Sequence, residues 1–210
     1  MATLGVIFGF SGISHGLFET LQGNTPTGGL FISAIGETHK MWPHGNEYAF
    51  TLIPNFLTTG IAAMIVGLAI IVWSVGFVHK NNGPTIFILL FVLLFLVGGG
   101  VAQIIFFTLT WIVSTRINKP LTWWRKILPT RIRKPLGKLW LWLLIVFSLL
   151  ILFVLEIAIF GIVPTVNDPD AVLSIMLYCL GVGLGVLLFS FVAGFAHDIE
   201  MRSDLSRDKK

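Results

Sequence analysis

The sequence predicts an all-α fold: a polytopic integral membrane bundle of about five transmembrane helices, N-terminus outside and C-terminus cytoplasmic. Three observations lead there. Hydrophobic residues make up 55% of the 210 positions and charged residues only 11%, against about 25% charged in a soluble domain. The mean hydropathy of +0.90 cannot be hidden in one soluble core of this size, whose outer shell must be mostly wettable. The charge is also segregated: eight of the fourteen basic residues fall between Arg116 and Lys138. A net charge of +4 placed this way marks a cytoplasmic loop, so no nucleic-acid partner is expected.

A helix needs roughly 20 apolar residues to cross the hydrocarbon. The first run, 2–20, is apolar apart from His15 and Glu19, and it lacks the basic start of a signal peptide. The second, 50–78, ends at His79-Lys80 and the turn Asn81-Asn82-Gly83-Pro84. The others are 85–113, 139–163 and 171–196, the last two separated by a linker with Asp168 and Asp170. The basic loop 114–138 and the tail 197–210 are placed inside. The acidic linker 164–170 then lies outside. Counting back puts the turn 79–83 outside and the segment 21–49 inside. That segment is punctuated by Gly23, Gly28, Gly29, Gly36, Gly45, Pro26 and Pro43, and its apolar piece FISAI is too short to span. It reads as an interfacial or re-entrant element. In the basic loop, Trp123, Trp124, Ile127 and Leu128 share a helical face beside Arg125 and Lys126, which suits a headgroup-level contact with anionic lipid.

Polar side chains inside the membrane are costly and mark where chemistry can sit. Gly5, Gly9, Gly12 and Gly16 form one small-residue stripe that ends in Glu19, with His15 flanking it. Gly183, Ser190, Gly194 and His197 form a second stripe on the last span. The two are expected to pack together. Asn55 on the second span and Gln103 on the third fall at a similar depth, with Asp198 at the mouth of the resulting cytoplasm-facing polar cluster. Gly98-Gly99-Gly100 reads as packing or hinge positions. Glu156 stands alone among apolar residues, with Tyr178 and Thr85 as expected partners, and suits proton-coupled movement or a cation site.

Two functional readings follow. The favoured one is a small transport, permeation or accessory protein that uses its intramembrane carboxylates and assembles as a homo-oligomer in the plasma membrane. The alternative is a membrane-embedded metal-dependent enzyme. In that reading His15 and Glu19, at i and i+4, hold a divalent ion with His197, His39 or His44 as third ligand. Haem between His15 and His197 is disfavoured by the close packing that glycine stripes imply. No P-loop or nucleophile motif is present, and the single Cys179 permits no internal disulfide.

Overall fold

The computed structural model describes residues 1–117 and 119–207, so Lys209 and Lys210 of the basic tail lie outside the described residues. Seven α-helices occur among them: α1 Ala2–Leu21, α2 Phe56–Gly76, α3 Gly83–Leu96, α4 Gln103–Ser114, α5 Thr122–Ile127, α6 Thr130–Phe160 and α7 Pro169–Arg207. Two short strands, β1 Phe31–Ser33 and β2 Tyr48–Phe50, pair antiparallel with Ile32 opposite Ala49. Four helices are long and apolar enough to cross a membrane, namely α1, α2, α6 and α7. The chain is a helical membrane protein.

It divides into two compact units. The first comprises 1–117 with 155–176, and the second 118–154 with 177–210.

In the first unit, α1 and α2 pack antiparallel along their small residues. A β-carbon on Gly9 would meet the carbonyl oxygen of Gly67, one on Gly16 that of Gly60, and one on Gly5 the side chain of Ser74. The opposite face of α2 carries Ile61, Ile65, Leu68, Val72 and Val75, all exposed, a stripe suited to lipid tails. The chain starts α2 with Asn55, whose side chain accepts the Thr58 amide at 3.1 Å. The glycine stripe of α1 is therefore filled by α2, and at Gly12 by Leu94 of α3, not by the last span as its spacing suggested. In the second unit Gly183 meets only Leu150, at 3.9 Å, and Gly181, Gly185 and Gly194 meet nothing within 4 Å.

The expected continuous span 85–113 is interrupted. Residues 97–102 are not helical, and the two flanking helices run in opposite directions. Phe87 of α3 lies by Gly5 and Leu94 by Gly12, so α3 is parallel to α1. Phe106 of α4 packs on Phe8 at 5.0 Å, and Gln103 donates to Ser11 Oγ at 3.0 Å, so α4 is antiparallel to α1. Phe91 and Phe107 stack across the pair at 4.9 Å. In one straight helix these rings would be about 24 Å apart, at 1.5 Å per residue. Glycine makes the reversal: Gly98 has φ +104° and Gly100 φ +31°, a region that costs other residues roughly 1–2 kcal/mol. The helix pair therefore begins and ends at the same end of the first unit.

The segment 21–49 is ordered by this break. Leu52 N donates to Leu96 O, Gly98 N to Phe50 O and Val101 N to Tyr48 O, at 2.9 to 3.0 Å. The unwound residues thus act as a third strand on β2, and the backbone groups freed by the break find partners there. The same segment touches the end of α6 and the start of α7. Trp42 donates its indole N–H to Ala158 O at 3.1 Å, and His44 Nε2 lies 2.8 Å from Asp170 Oδ1. The sequence reading set 21–49 and 164–170 on opposite membrane faces; here they meet at one end of the unit.

In the second unit Arg133 near the start of α6 pairs with Glu200 of α7. Arg202 donates to the Lys119 carbonyl at 3.0 Å, and Trp124 lies between Trp123 and Phe195.

Candidate functional site

The last two turns of α1 carry His15 and Glu19 toward the break. Helical spacing puts both on one face, and the glycines around them admit α2 and α3 so closely that the face is sealed. Glu19 is fully buried and His15 is 6% exposed. A β-carbon on Gly98 would fall 2.5 Å from both Glu19 carboxylate oxygens, and one on Gly100 would fall 2.8 Å from His15 Nε2. Bare glycine backbone is thus the wall facing both ionisable groups.

The donors of that wall are already used. Gly98 N bonds Phe50 O, Gly99 N bonds Leu94 O and Gly100 N bonds Gly98 O. The Val97 carbonyl accepts from Thr59 Oγ1 at 2.7 Å, and Thr59 Oγ1 lies 2.6 Å from Thr51 Oγ1. Glu19 receives none of these: neither of its oxygens has a hydrogen-bond partner. Gln103 Oε1 and His15 Nδ1 are buried without a partner as well. Gln103 turns its amide nitrogen to Ser11 instead. With the His15 proton on Nε2, all four orphaned atoms are acceptors. A buried cluster of acceptors to which no donor is bonded fits a positive ligand: a proton, or a small cation.

One connection leads out. His15 Nε2 is 3.0 Å from Glu47 Oε2, and the Glu47 side chain is 22% exposed. Glu47 is held by its main chain at the edge of the hairpin, where its carbonyl accepts from Ala34 N at 2.7 Å.

The structure brings together His15, Glu19 and Gln103 of the residues expected from sequence. Asn55 is occupied otherwise, as the cap of α2 and as a donor to Asn24 Oδ1 at 2.7 Å. His197 and Asp198 belong to the second unit, where His197 packs on Trp140 at 5.2 Å. Glu156 is half-buried in the part of α6 assigned to the first unit and has no hydrogen-bond partner among the described residues. Tyr178, its expected partner, is 75% exposed. Trp123, Arg125 and Lys126 are exposed on α5, with Trp124 half-covered. Among the described residues, no group of three His, Cys, Asp or Glu side chains is placed to hold a metal ion.

Sequence reasoning missed Glu47, Ser11 and Thr51. Glu47 sat in a segment with no periodicity to place it. The signal for the break itself was present: three consecutive glycines, 98–100, inside an otherwise unbroken apolar run. Compared with known proteins, the chain matches no family model, no curated protein and no solved structure.

Proposed function

We propose that the chain is a small transport or permeation protein of the cytoplasmic membrane that moves protons or a small monovalent cation, with Glu19 as the carrying carboxyl. The observation behind this reading is the placement of Glu19: fully buried, both oxygens without a hydrogen bond, and set against the unwound glycines of a broken helix. Interrupted helices at membrane depth recur where ions and substrates are held. A purely structural carboxyl would instead be expected to bond a neighbouring donor.

The orientation that goes with this reading has both termini inside. α1 and α2 cross and return, the α3–α4 pair ends on the side where it began, and α6 and α7 cross and return. The basic loop holds the N-terminal end of α1 in the cytoplasm, and the 22–55 segment faces outside with Asp168 and Asp170. Trp123, Arg125 and Lys126 then rest at the inner headgroups, where anionic lipid complements their charge.

The test is flux in vesicles containing the purified protein and an internal pH-sensitive dye, driven by an imposed membrane potential, with sodium and potassium gradients as parallel arms. Glu19→Gln keeps the size and removes the titratable oxygen. Proton or cation flux at least tenfold below wild type is expected in the folded variant. Wild-type flux in Glu19→Gln, or no flux of any of the three ions in the wild type, would overturn the proposal.

A further inference from the structure

We infer that Glu47 and His15 form a proton relay that connects the buried Glu19 to the aqueous phase beside the β1–β2 hairpin. This rests on the reading of Glu19 as the carrying carboxyl and goes further, naming the proton as the ion and giving its route. Three ionisable side chains lie in a graded series: Glu47 with 22% of its side chain exposed, His15 with 6%, and Glu19 with none. Glu47 lies 28 positions after Glu19 in the sequence, and the fold brings it against His15 of α1. The Glu47–His15 contact is 3.0 Å, which is proton-transfer distance and leaves no passage for a hydrated cation between the two side chains. Histidine suits the middle position because its two ring nitrogens can take a proton on one side and release one on the other. Here Nε2 faces Glu47, while Nδ1 is buried with no partner, like both oxygens of Glu19 one helical turn further on. Gly100 keeps the space beside the ring open, since a β-carbon there would meet both Nε2 and Cε1.

The step balances without a co-reactant. It begins with Glu47 carrying a proton, His15 neutral with its proton on Nδ1, and Glu19 ionised. The Glu47 O–H bond breaks as His15 Nε2–H forms. The Nδ1–H bond then breaks as a Glu19 O–H forms, through a water bridge or a side-chain rotation that closes the gap. One proton has moved inward, Glu47 is ionised, and His15 is again neutral with its proton on Nε2. A ring flip then carries the protonated nitrogen to the inner side and leaves the bare nitrogen facing Glu47, ready to accept the next proton.

Two variants separate the relay from the carrying carboxyl. Glu47→Gln keeps a hydrogen bond to His15 but carries no titratable proton, and His15→Gln keeps one polar contact without the second nitrogen. Each is expected to lower potential-driven proton flux at least tenfold in vesicles while Glu19 is intact. Wild-type proton flux in either folded variant overturns the relay. If Glu19→Gln is inactive while these two are active, the relay alone falls; if Glu19→Gln is active, the functional reading falls. Should both relay variants fail to fold, the wild type still decides. In the proton-loaded state, with Glu19 carrying the transferred proton, the infrared carbonyl band that Glu19→Gln removes is expected to shift within seconds of transfer to D2O despite the burial of Glu19. A band that stays unexchanged for an hour overturns the relay.

Discussion

Gly16 of α1 and Gly60 of α2 meet backbone to backbone: a β-carbon on either would fall on the carbonyl oxygen of the other. The same reciprocity holds at Gly9 and Gly67. Lipid tails are as apolar as leucine, so two helices gain little from hydrophobicity inside a membrane. Close approach of the backbones supplies the dispersion contacts instead. This interface sets the position of Glu19, one turn beyond Gly16.

Gly60→Val is expected to separate α1 from α2 and to destabilise the protein by more than about 2 kcal/mol, the range for overpacking a tight contact. Thermal unfolding in detergent reads the effect. Gly181→Ala in α7 serves as the control, because a β-carbon there meets nothing within 4 Å, and it is expected to leave the transition within about 0.5 kcal/mol of wild type. Equal losses at the two positions would mean that the α1–α2 contact is not what holds the unit.

How much of this was legible in the sequence divides along periodicity. The glycine stripe of α1 repeats at helical spacing, and α2, α6 and α7 lie in long apolar runs, so the spans were readable. Glu19 and His15 drew notice because a charge in hydrocarbon is conspicuous. The partner of the stripe was not readable. Gly60 and Gly67 are seven apart on α2 just as Gly183 and Ser190 are on α7, and spacing alone does not say which face docks. The helix break was half-readable: Gly98-Gly99-Gly100 suggested a hinge, but an apolar run of 29 residues has the composition of a span whether or not it folds back. The loop contacts of Trp42, His44 and Glu47 depend on tertiary geometry, and no local pattern encodes them.

Trp42 and Gly161 provide a second test. Gly161 has φ +64°, and its missing β-carbon is the space in which the Trp42 ring lies. Gly161→Ala incurs both the strain of that backbone region, about 1–2 kcal/mol, and a clash with the indole. Trp42→Phe keeps most of the apolar contact and loses the bond to Ala158 O, about 1 kcal/mol. Asp170→Asn should matter least, because its ion pair with His44 is on an exposed carboxylate, and such pairs contribute about 0–1 kcal/mol. Unfolding temperatures are therefore expected to fall in the order Gly161→Ala most, Trp42→Phe next and Asp170→Asn least. An Asp170→Asn loss larger than that of Gly161→Ala would show that charge, not packing, fastens the 22–55 segment.

The Arg133–Glu200 pair joins the start of α6 to the end of α7, and Arg133 also reaches Thr130 Oγ1 at 3.3 Å. Arg133 is 9% exposed, so removing its partner leaves a charge largely out of water. Glu200→Gln should cost on the order of 2 kcal/mol, whereas replacing both residues with leucine should recover most of that loss. Chemical unfolding of the three proteins decides it. A double variant as unstable as the single one would show that the pair contributes net attraction beyond mutual compensation.

Orientation separates the geometric reading from the charge count. Either arrangement leaves thirteen of the fourteen basic residues inside, since Lys40 and Lys80 simply exchange sides, so the positive-inside bias is silent on the choice. The contact of Trp42 with Ala158 and the reversal between α3 and α4 are not silent. They put the 22–55 segment at the same end as the acidic linker. With Cys179 changed to Ser, a single cysteine at Gly29 or at Asn81 reports on each end; both positions are exposed. A membrane-impermeant maleimide applied to intact cells is expected to label Gly29→Cys and to reach Asn81→Cys only after permeabilisation. The reverse pattern would restore the orientation drawn from charge alone and place Glu47, with the entry of the proposed relay, on the cytoplasmic side.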